Sequence, residues 1–137
     1  MCANFRRTAR ALTQHYETAL RPLGLRATQF TILQVLSLAG EVPQGQLGGM
    51  LATDSTSLTR TLAIMVRQRW IAERPGKDRR ERRLRLSSAG EAQLKRALPV
   101  WDKVQSRLRR RLGDSAWNEL LQVTRQVTGL ITKGESL

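Results

Sequence analysis

The sequence predicts a mainly α fold with one small β element, and three observations carry that prediction. Apolar residues recur every three or four positions through most of the chain, which is the spacing of one face of an amphipathic helix. The period changes to two on either side of a turn at Pro75-Gly76, which indicates two short strands. A basic segment joins those strands, with seven cations and two acids between Arg74 and Arg85.

The composition restricts the class of protein before any element is placed. The chain has 137 residues, the size of one domain, and its 24 Lys and Arg against 11 Asp and Glu give a formal net charge of +13. Such an excess favours nucleic acid or an anionic membrane as the partner, and charge alone does not decide between them. No apolar run approaches the roughly 20 residues of a membrane helix, and the N-terminus carries no signal-peptide pattern. We therefore expect a cytoplasmic protein with no membrane partner.

Motifs for catalysis or metal binding are not evident. The chain has one cysteine, Cys2, and one histidine, His15, which are too few for a structural zinc site. Glycine-rich phosphate loops, nucleophile elbows and clustered carboxylates are also missing. We expect no metal, no cofactor and no enzymatic function, and an enzyme that uses Cys2 as its nucleophile is the weakest hypothesis.

Two helices come first. Apolar residues at alternating steps of four and three predict a helix over about residues 4–21, which Pro22 and Gly24 end. The second helix has Thr28 as its N-cap and closes at Gly40. The narrow apolar face of the first helix indicates that it packs against another helix.

The next two helices have the spacing of a helix-turn-helix. Pro43 suits the first position of the shorter helix, and Thr53 or Asp54 caps the longer one, which runs to about Arg69. The longer helix places Leu58, Leu62, Met65 and Val66 on its inner side, and its outer face is small, hydroxylated and basic. The outward-facing residues are Thr56, Thr59, Arg60, Ala63 and Arg67. Slim polar side chains of this kind allow a helix to enter a major groove.

The rest of the chain predicts the two strands and two long helices. The strands cover residues 71–74 and 82–86, and the basic segment joins them. Ser88 and Glu91 have the spacing of a capping box and start the first long helix. Gly113 separates it from a last helix that continues toward the C-terminus.

These elements predict a single domain over residues 1–137. Residues 28–87 form a helix-turn-helix with a β hairpin, or wing, beside it, which is a winged helix-turn-helix. Residues 1–24 and 88–137 form a helical region at the two chain ends. Its apolar faces are hard to bury in so small a monomer, so we expect these helices to be dimerisation helices and the protein to be a homodimer.

The wing motif Asp78-Arg79-Arg80, the segment LRLSSAG at 84–90 and the segment LTR in the fourth helix occur together in one chain. In these motifs and in the order of its elements the chain resembles the MarR family of bacterial winged helix-turn-helix regulators along nearly its whole length. The most specific motif is Asp78-Arg79-Arg80 followed by the segment LRLSSAG at 84–90, which is similar to the family's D-R-R wing and L-T-x-x-G helix start, with Ser87 in place of Thr. The segment LTR in the fourth helix also fits. The resemblance implies a homodimer on a pseudo-palindromic operator, with one recognition helix per half-site in the major groove and each wing beside it.

By that resemblance Arg80 enters the minor groove and Asp78 holds its geometry. A narrow minor groove concentrates negative potential and so favours an inserted guanidinium. Ser55 and Ser57 have the alternative role of capping the helix, and the other wing cations are either phosphate contacts or sources of a positive field. The full set of DNA-contact candidates is Gln44, Gln46, Ser55, Thr56, Ser57, Thr59, Arg60, Arg67, Lys77, Asp78, Arg79, Arg80 and Arg82.

Two hypotheses for regulation stay open. Cys2 and Tyr16 have a spacing that resembles the peroxide-sensing branch of the family, in which an N-terminal cysteine is oxidised beside tyrosines of both subunits. Only Tyr16 of those tyrosines is present, since the other positions hold Arg6 and Ala27, and the alternative is an N-terminal cysteine with no regulatory role. The other hypothesis is a small aromatic or anionic effector, bound in a pocket that includes His15.

The function predicted from these features is that of a sequence-specific DNA-binding transcriptional regulator. Repression is expected rather than activation, because members of the family usually repress by occluding promoters, and an effector would release the DNA. The rival from another class is a protein that compacts DNA without sequence preference, because the same net charge would serve it equally well.

Overall fold

Helices form most of the structure, a computed structural model that describes residues 1–133. The elements in chain order are α1 (Cys2–Leu20), a 3₁₀ turn (Arg21–Leu23), α2 (Ala27–Ala39), β1 (Val42–Pro43), α3 (Gln44–Leu51), α4 (Ser55–Arg67), β2 (Ile71–Pro75), β3 (Arg82–Leu86), α5 (Ser88–Leu112) and α6 (Asp114–Lys133). The predicted fold class, mainly α with a small β-wing, is confirmed. The chain forms two compact units, the first covering Met1–Trp101 and the second starting at Asp102.

The prediction of Thr28 as the N-cap of α2 is wrong. The helix begins at Ala27, and Arg26 precedes it in an extended conformation. The Arg26 N–H donates to Oε1 of Gln29 at 2.9 Å, so a glutamine side chain reaching back satisfies a backbone donor at this helix end. Gly40 ends the helix as predicted, with a φ of 74° that glycine adopts without steric cost.

The helix-turn-helix consists of α3 and α4. Pro43 is the N-cap of α3 and not its first residue, because the helix begins at Gln44. Asp54 caps α4, since its Oδ1 accepts a hydrogen bond from the Ser57 N–H at 2.9 Å. That bond lowers the pKa of the Asp54 carboxyl. The prediction that Asp54 or Thr53 caps this helix is therefore settled in favour of Asp54.

Ala52, in the turn between α3 and α4, holds a left-handed conformation with φ 48° and ψ 42°. In that region the Cβ of an L-residue crowds the following carbonyl, and glycine avoids the crowding. We expect Ala52→Gly to raise the free energy of unfolding by about 1 kcal/mol, measured by urea denaturation. Ala63→Gly, in the exposed middle of α4, is the matched control and should lower it by about 1 kcal/mol. An Ala52→Gly variant less stable than the wild type would contradict the expectation.

The wing belongs to a three-stranded antiparallel sheet in the order β1-β3-β2. The hairpin of β2 and β3 pairs Ile71 with Leu86 at one end and Pro75 with Arg82 at the other. The strand β1, which the sequence pattern did not predict, pairs Val42 with Leu84. A strand of two residues is too short to show a period of two, so no pattern could reveal it.

One hydrophobic core joins the helix-turn-helix to the sheet. It includes Phe30, Leu33 and Leu36 of α2, Leu47 of α3, Leu58, Leu62 and Met65 of α4, and Ile71 and Leu84 of the sheet, each no more than 3% exposed. The inward face predicted for α4 is confirmed. The strands and α4 therefore pack on the same core.

The start of α5 is fixed by Ser87, so the prediction of a capping box from Ser88 to Glu91 is wrong. The Oγ of Ser87 accepts a hydrogen bond from the Gly90 N–H at 3.0 Å and donates to the carbonyl oxygen of Arg69. Gly90 is buried against the residue that follows Arg69, Trp70. The beginning of α5 is therefore attached to the connection between α4 and β2.

Large apolar side chains of α1 and α6 remain exposed in the single chain. In α1 only Tyr16 and Leu20 are buried, and Phe5 is 40% exposed. In α6 the exposed apolar residues are Leu121, Val123, Leu130 and Ile131. No helix within residues 1–133 is both long and apolar enough to cross a membrane.

Candidate nucleic-acid interface

The outer face of α4 is exposed along its whole length. Thr59, Arg60 and Arg67 follow Thr56 by three, four and eleven residues and so form one stripe along the helix with it. Ser55 and Ser57 flank the stripe in the first turn, where Ser57 also binds the Asp54 carboxylate through its side chain. The residues predicted on this helix are thus brought together on one face of hydroxyl and guanidinium groups.

Gln44 connects the two helices of the helix-turn-helix. Its Nε2 donates to Oγ1 of Thr59 at 3.1 Å, and that hydroxyl donates to the carbonyl oxygen of Ser55 at 2.7 Å. The Thr59 hydroxyl proton is therefore already used, so toward a ligand Thr59 can act only as an acceptor. Gln46, by contrast, is exposed as the third residue of the short α3.

The tip of the wing is a tight turn built around Asp78. The Gly76 N–H donates to the Glu81 carbonyl at 2.8 Å, and the Glu81 N–H donates to the Asp78 carbonyl at 2.9 Å. Oδ1 of Asp78 accepts a hydrogen bond from the Arg80 N–H at 3.1 Å. Asp78 thus holds the backbone of Arg80 in a turn and leaves the Arg80 guanidinium exposed.

The cations of the wing fall into two groups. Three cations of its strands have acidic partners: Arg74 and Arg83 both bind Glu41, Arg83 also binds Glu81, and Arg82 lies 3.7 Å from Glu73. The cations at its tip, and Arg85 of β3, have none in the described part of the chain. The exposed tip cations are Lys77, Arg79 and Arg80. Most of the uncompensated positive charge of the basic segment therefore lies at the tip.

Glu41 is the residue of this region that the sequence pattern did not single out. Arg74 and Arg83 lie directly opposite each other on β2 and β3, where two like charges destabilise a sheet. The Glu41 carboxylate accepts hydrogen bonds from Nε of Arg74 at 2.6 Å and from Nε of Arg83 at 2.8 Å. It lies 33 residues before Arg74 in the sequence, so no local spacing could have indicated the contact.

Glu41 is expected to stabilise the fold over a defined range of pH. Hydrogen bonds from Arg74 and then Arg83 lower the pKa of the Glu41 carboxyl from its usual 4.5 to about 2. Because the pKa is lower in the folded chain than in the unfolded chain, the stabilisation is complete above pH 4.5 and is lost as the pH falls through about 2. Urea denaturation should show the stability difference between wild type and Glu41→Gln shrinking below pH 4.5. A difference independent of pH would contradict this assignment.

The three residues predicted for regulation do not form one cluster within the chain. Cys2 is exposed at the first residue of α1, and the buried Tyr16 lies fourteen residues later, about 21 Å along the helix axis. Nη2 of Arg6 donates to Sγ of Cys2 at 3.9 Å. No group of three or more His, Cys, Asp or Glu side chains that could hold a metal occurs within the described residues.

An aromatic stack lies beside a cavity of about 280 Å³ in the first compact unit. Trp101 lies between Tyr16 and Phe30, with ring centroids 4.0 Å and 4.3 Å from its own. Burial raises the pKa of Tyr16. The cavity is lined by Leu12, Thr13, Tyr16, Ala27, Thr28, Thr31, Leu51, Thr53 and Trp101. His15 contacts Tyr16 edge-on at 6.3 Å but is not part of the lining.

Known proteins share both the sequence and the fold. A family model described as the MarR family matches residues 23–81. The chain is 36% identical to the transcriptional regulator MosR of M. tuberculosis, solved in complex with DNA, with 99% of this chain and 96% of that chain covered and a TM-score of 0.83. A mutant of MarR from E. coli, complexed with operator DNA, has the same fold at 21% identity, with 91% of each chain covered and a TM-score of 0.82.

A curated relative is also named as a transcriptional regulator. It is an uncharacterized HTH-type transcriptional regulator of Bacillus subtilis, YwoH, which is 27% identical over 84 residues. The match spans 61% of that protein's length and 61% of this chain. These relatives are named as transcriptional regulators. The identity with MosR extends over nearly the whole of both chains, and this chain belongs to the MarR family.

Proposed function

We propose that the protein is a sequence-specific DNA-binding transcriptional regulator that acts as a homodimer. The observation that carries the proposal is the exposed stripe of hydroxyl and guanidinium groups on α4 together with uncompensated cations at the wing tip. Both belong to one compact unit with a shared core. The solved DNA complexes of MosR and of E. coli MarR support the same use of this fold.

In this function α4 is the recognition helix. Arg60 lies more than one turn inside the helix, where its guanidinium can pair with two acceptors of a guanine in the major groove. The smaller side chains Thr56 and Thr59 let the helix approach the base edges, and Arg67 contacts phosphate. Gln44 and Gln46 contribute at the start of α3, where a side chain can reach the DNA backbone.

The wing supplies a second contact. Arg80 enters the minor groove, where a narrow groove favours a guanidinium over other side chains. Lys77 and Arg79 bind phosphates and so raise affinity for any sequence. Because Arg82 lies near Glu73, it contributes less than the tip cations do.

The exposed apolar residues of α1 and α6 support the homodimer. Phe5 on α1 and Leu130 on α6 are examples of side chains that a second subunit would cover. Two recognition helices related by a two-fold axis then reach adjacent major grooves when they lie about 34 to 36 Å apart. The operator would accordingly be a pseudo-palindrome.

Repression released by an effector completes the proposal. The cavity beside Trp101 offers aromatic surfaces and the hydroxyl groups of Thr13, Thr28 and Thr31, which suit a small aromatic ligand with polar substituents. A ligand that binds only when the recognition helices are not at the spacing of adjacent major grooves would shift the dimer away from the DNA-bound state. Oxidation of Cys2 is the alternative signal, and its exposure and the nearby Arg6 guanidinium support it.

The test is a comparison of affinities by fluorescence anisotropy at about 0.15 M salt. The protein should bind the promoter DNA of its own gene at least about 10³-fold more tightly than random duplex. Equal affinities would overturn the proposal and favour the DNA-compacting protein. The same assay with added aromatic carboxylates or organic hydroperoxide tests the effector, and Cys2→Ala should abolish only a response to hydroperoxide.

A further inference from the structure

The short segment 41–44 contacts both parts of the candidate interface. At one end Glu41 binds Arg74 of β2 and Arg83 of β3 through three hydrogen bonds from their guanidinium groups. At the other end Gln44 binds Thr59 of α4 at 3.1 Å. Between them Val42 pairs with Leu84 in the sheet and is buried. Four consecutive residues thus connect the wing to the outer face of α4.

We propose that Glu41 is a positioning residue for DNA binding, which holds the wing at a fixed distance from the recognition helix without touching DNA. This inference rests on the proposed function. A hairpin on its own is only marginally stable, and the β2–β3 hairpin brings Arg74 and Arg83 opposite each other. The Glu41 carboxylate compensates both charges from a point outside the hairpin, so it attaches the hairpin while it removes the repulsion.

The geometry makes this contact specific. The carboxylate accepts from Nε and Nη2 of Arg74 with its two oxygens, a bidentate arrangement that fixes the plane of the guanidinium. Arg83 is held from two sides, by Glu41 at 2.8 Å and by Glu81 at 2.8 Å. Glu81 is also the residue whose backbone closes the wing tip. The chain of contacts therefore runs from Glu41 through Arg83 to the turn that carries Arg80.

The positioning role and simple electrostatics predict opposite results for Glu41→Gln. Removing an acid near DNA raises the net charge and releases two arginines toward phosphate, so electrostatics alone predicts tighter binding to every sequence. Loss of positioning predicts weaker binding to the specific site, where the wing and the recognition helix must fit at the same time. The sign of the change in specific affinity therefore decides between the two.

The experiment measures the affinity of wild type, Glu41→Gln and Glu73→Gln for promoter DNA and for random duplex. Glu41→Gln should bind promoter DNA at least about fivefold more weakly, and random duplex as tightly as wild type or more so. Glu73→Gln removes the same charge from the wing itself but leaves the segment 41–44 intact, so it should not weaken promoter binding. In an Arg80→Ala background the effect of Glu41→Gln should largely disappear, because Glu41 acts through the wing.

Hydrogen exchange of the protein without DNA tests the role of Glu41 separately from the proposed function in DNA binding. Amides of β2 and β3 should exchange faster in Glu41→Gln than in Glu73→Gln, while those of α4 stay as in wild type. If Glu41→Gln binds the promoter as tightly as the wild type does, and the wild type prefers the promoter to random duplex, the positioning role of Glu41 is overturned and the proposed function stands. If the wild type shows no sequence preference, the proposed function fails, and unchanged exchange in β2 and β3 would then overturn the attachment of the wing as well.

Discussion

Gly90→Ala is expected to lower the free energy of unfolding by about 3 kcal/mol, the upper part of the range for overpacked sites. A Cβ at this position would clash with the carbonyl oxygen of Trp70 and would lie 2.8 Å from Cδ1 of Leu86. The carbonyl belongs to backbone that also accepts a hydrogen bond from the Ser87 N–H at 3.0 Å, so it cannot move aside alone. Either α5 shifts away from the sheet or that hydrogen bond is lost.

The measurement is urea denaturation of Gly90→Ala beside Gly49→Ala. Gly49 is also helical, and nothing lies within 4 Å of the Cβ that alanine would add there. Alanine should therefore stabilise that site by about 0.5 to 1 kcal/mol through its helix propensity. Two identical substitutions of opposite effect would identify close packing as the cause. A Gly90→Ala variant as stable as the wild type would contradict the close packing of α5 against Trp70.

Arg80→Ala is expected to weaken binding to promoter DNA by about 1 to 3 kcal/mol without unfolding the protein. The Arg80 side chain has no ion-pair partner among residues 1–133 and is exposed, so its removal costs the fold little. Its backbone stays in place, because Asp78 binds the Arg80 N–H and not the guanidinium. Anisotropy titration gives the loss of affinity, and thermal unfolding verifies that the variant is folded.

Arg79→Ala is the matched control for the minor-groove assignment. It removes the same charge from the neighbouring residue, so as a phosphate contact it should weaken binding to all sequences alike and reduce the salt slope by about 1. Arg80→Ala should instead lose most on DNA with a narrow, A·T-rich minor groove at the wing position, and little when G·C pairs widen it. Equal losses of affinity on both DNAs would contradict the assignment of Arg80 to the minor groove.

The sequence predicted the helices and the hairpin because their signals are local. The outer face of α4 follows from a period of 3.6 residues, and the strands on either side of Gly76 follow from a period of two. Helix starts were less well predicted, because several polar side chains near a start can satisfy its first backbone donors. At α2 the side chain of Gln29 satisfies the backbone donor, and at α5 Ser87 caps although Ser88 has the better spacing to Glu91.

Long-range contacts explain what could not be predicted of the site. From composition alone the cations of the basic segment cannot be told apart. In the structure some of them form ion pairs with acidic side chains and others do not. Arg74 and Arg83 contact Glu41 because β1, which follows Glu41, lies beside β3. The strand β1 has only two residues and therefore no sequence pattern that could predict it. The hydrogen bond of Gln44 to Thr59 likewise depends on the angle between α3 and α4, which no spacing specifies.

The stack of Tyr16, Trp101 and Phe30 gives the molecule an internal optical probe. Trp101 is one of three tryptophans in the chain, lies face to face with two other rings, and borders the cavity. Indole emission depends on the rings and dipoles around it, so Trp101 responds to anything that enters the cavity or separates α1 from α2. A Trp70→Phe, Trp117→Phe variant would leave this single fluorophore, and occupancy of the cavity could be followed without a label or DNA.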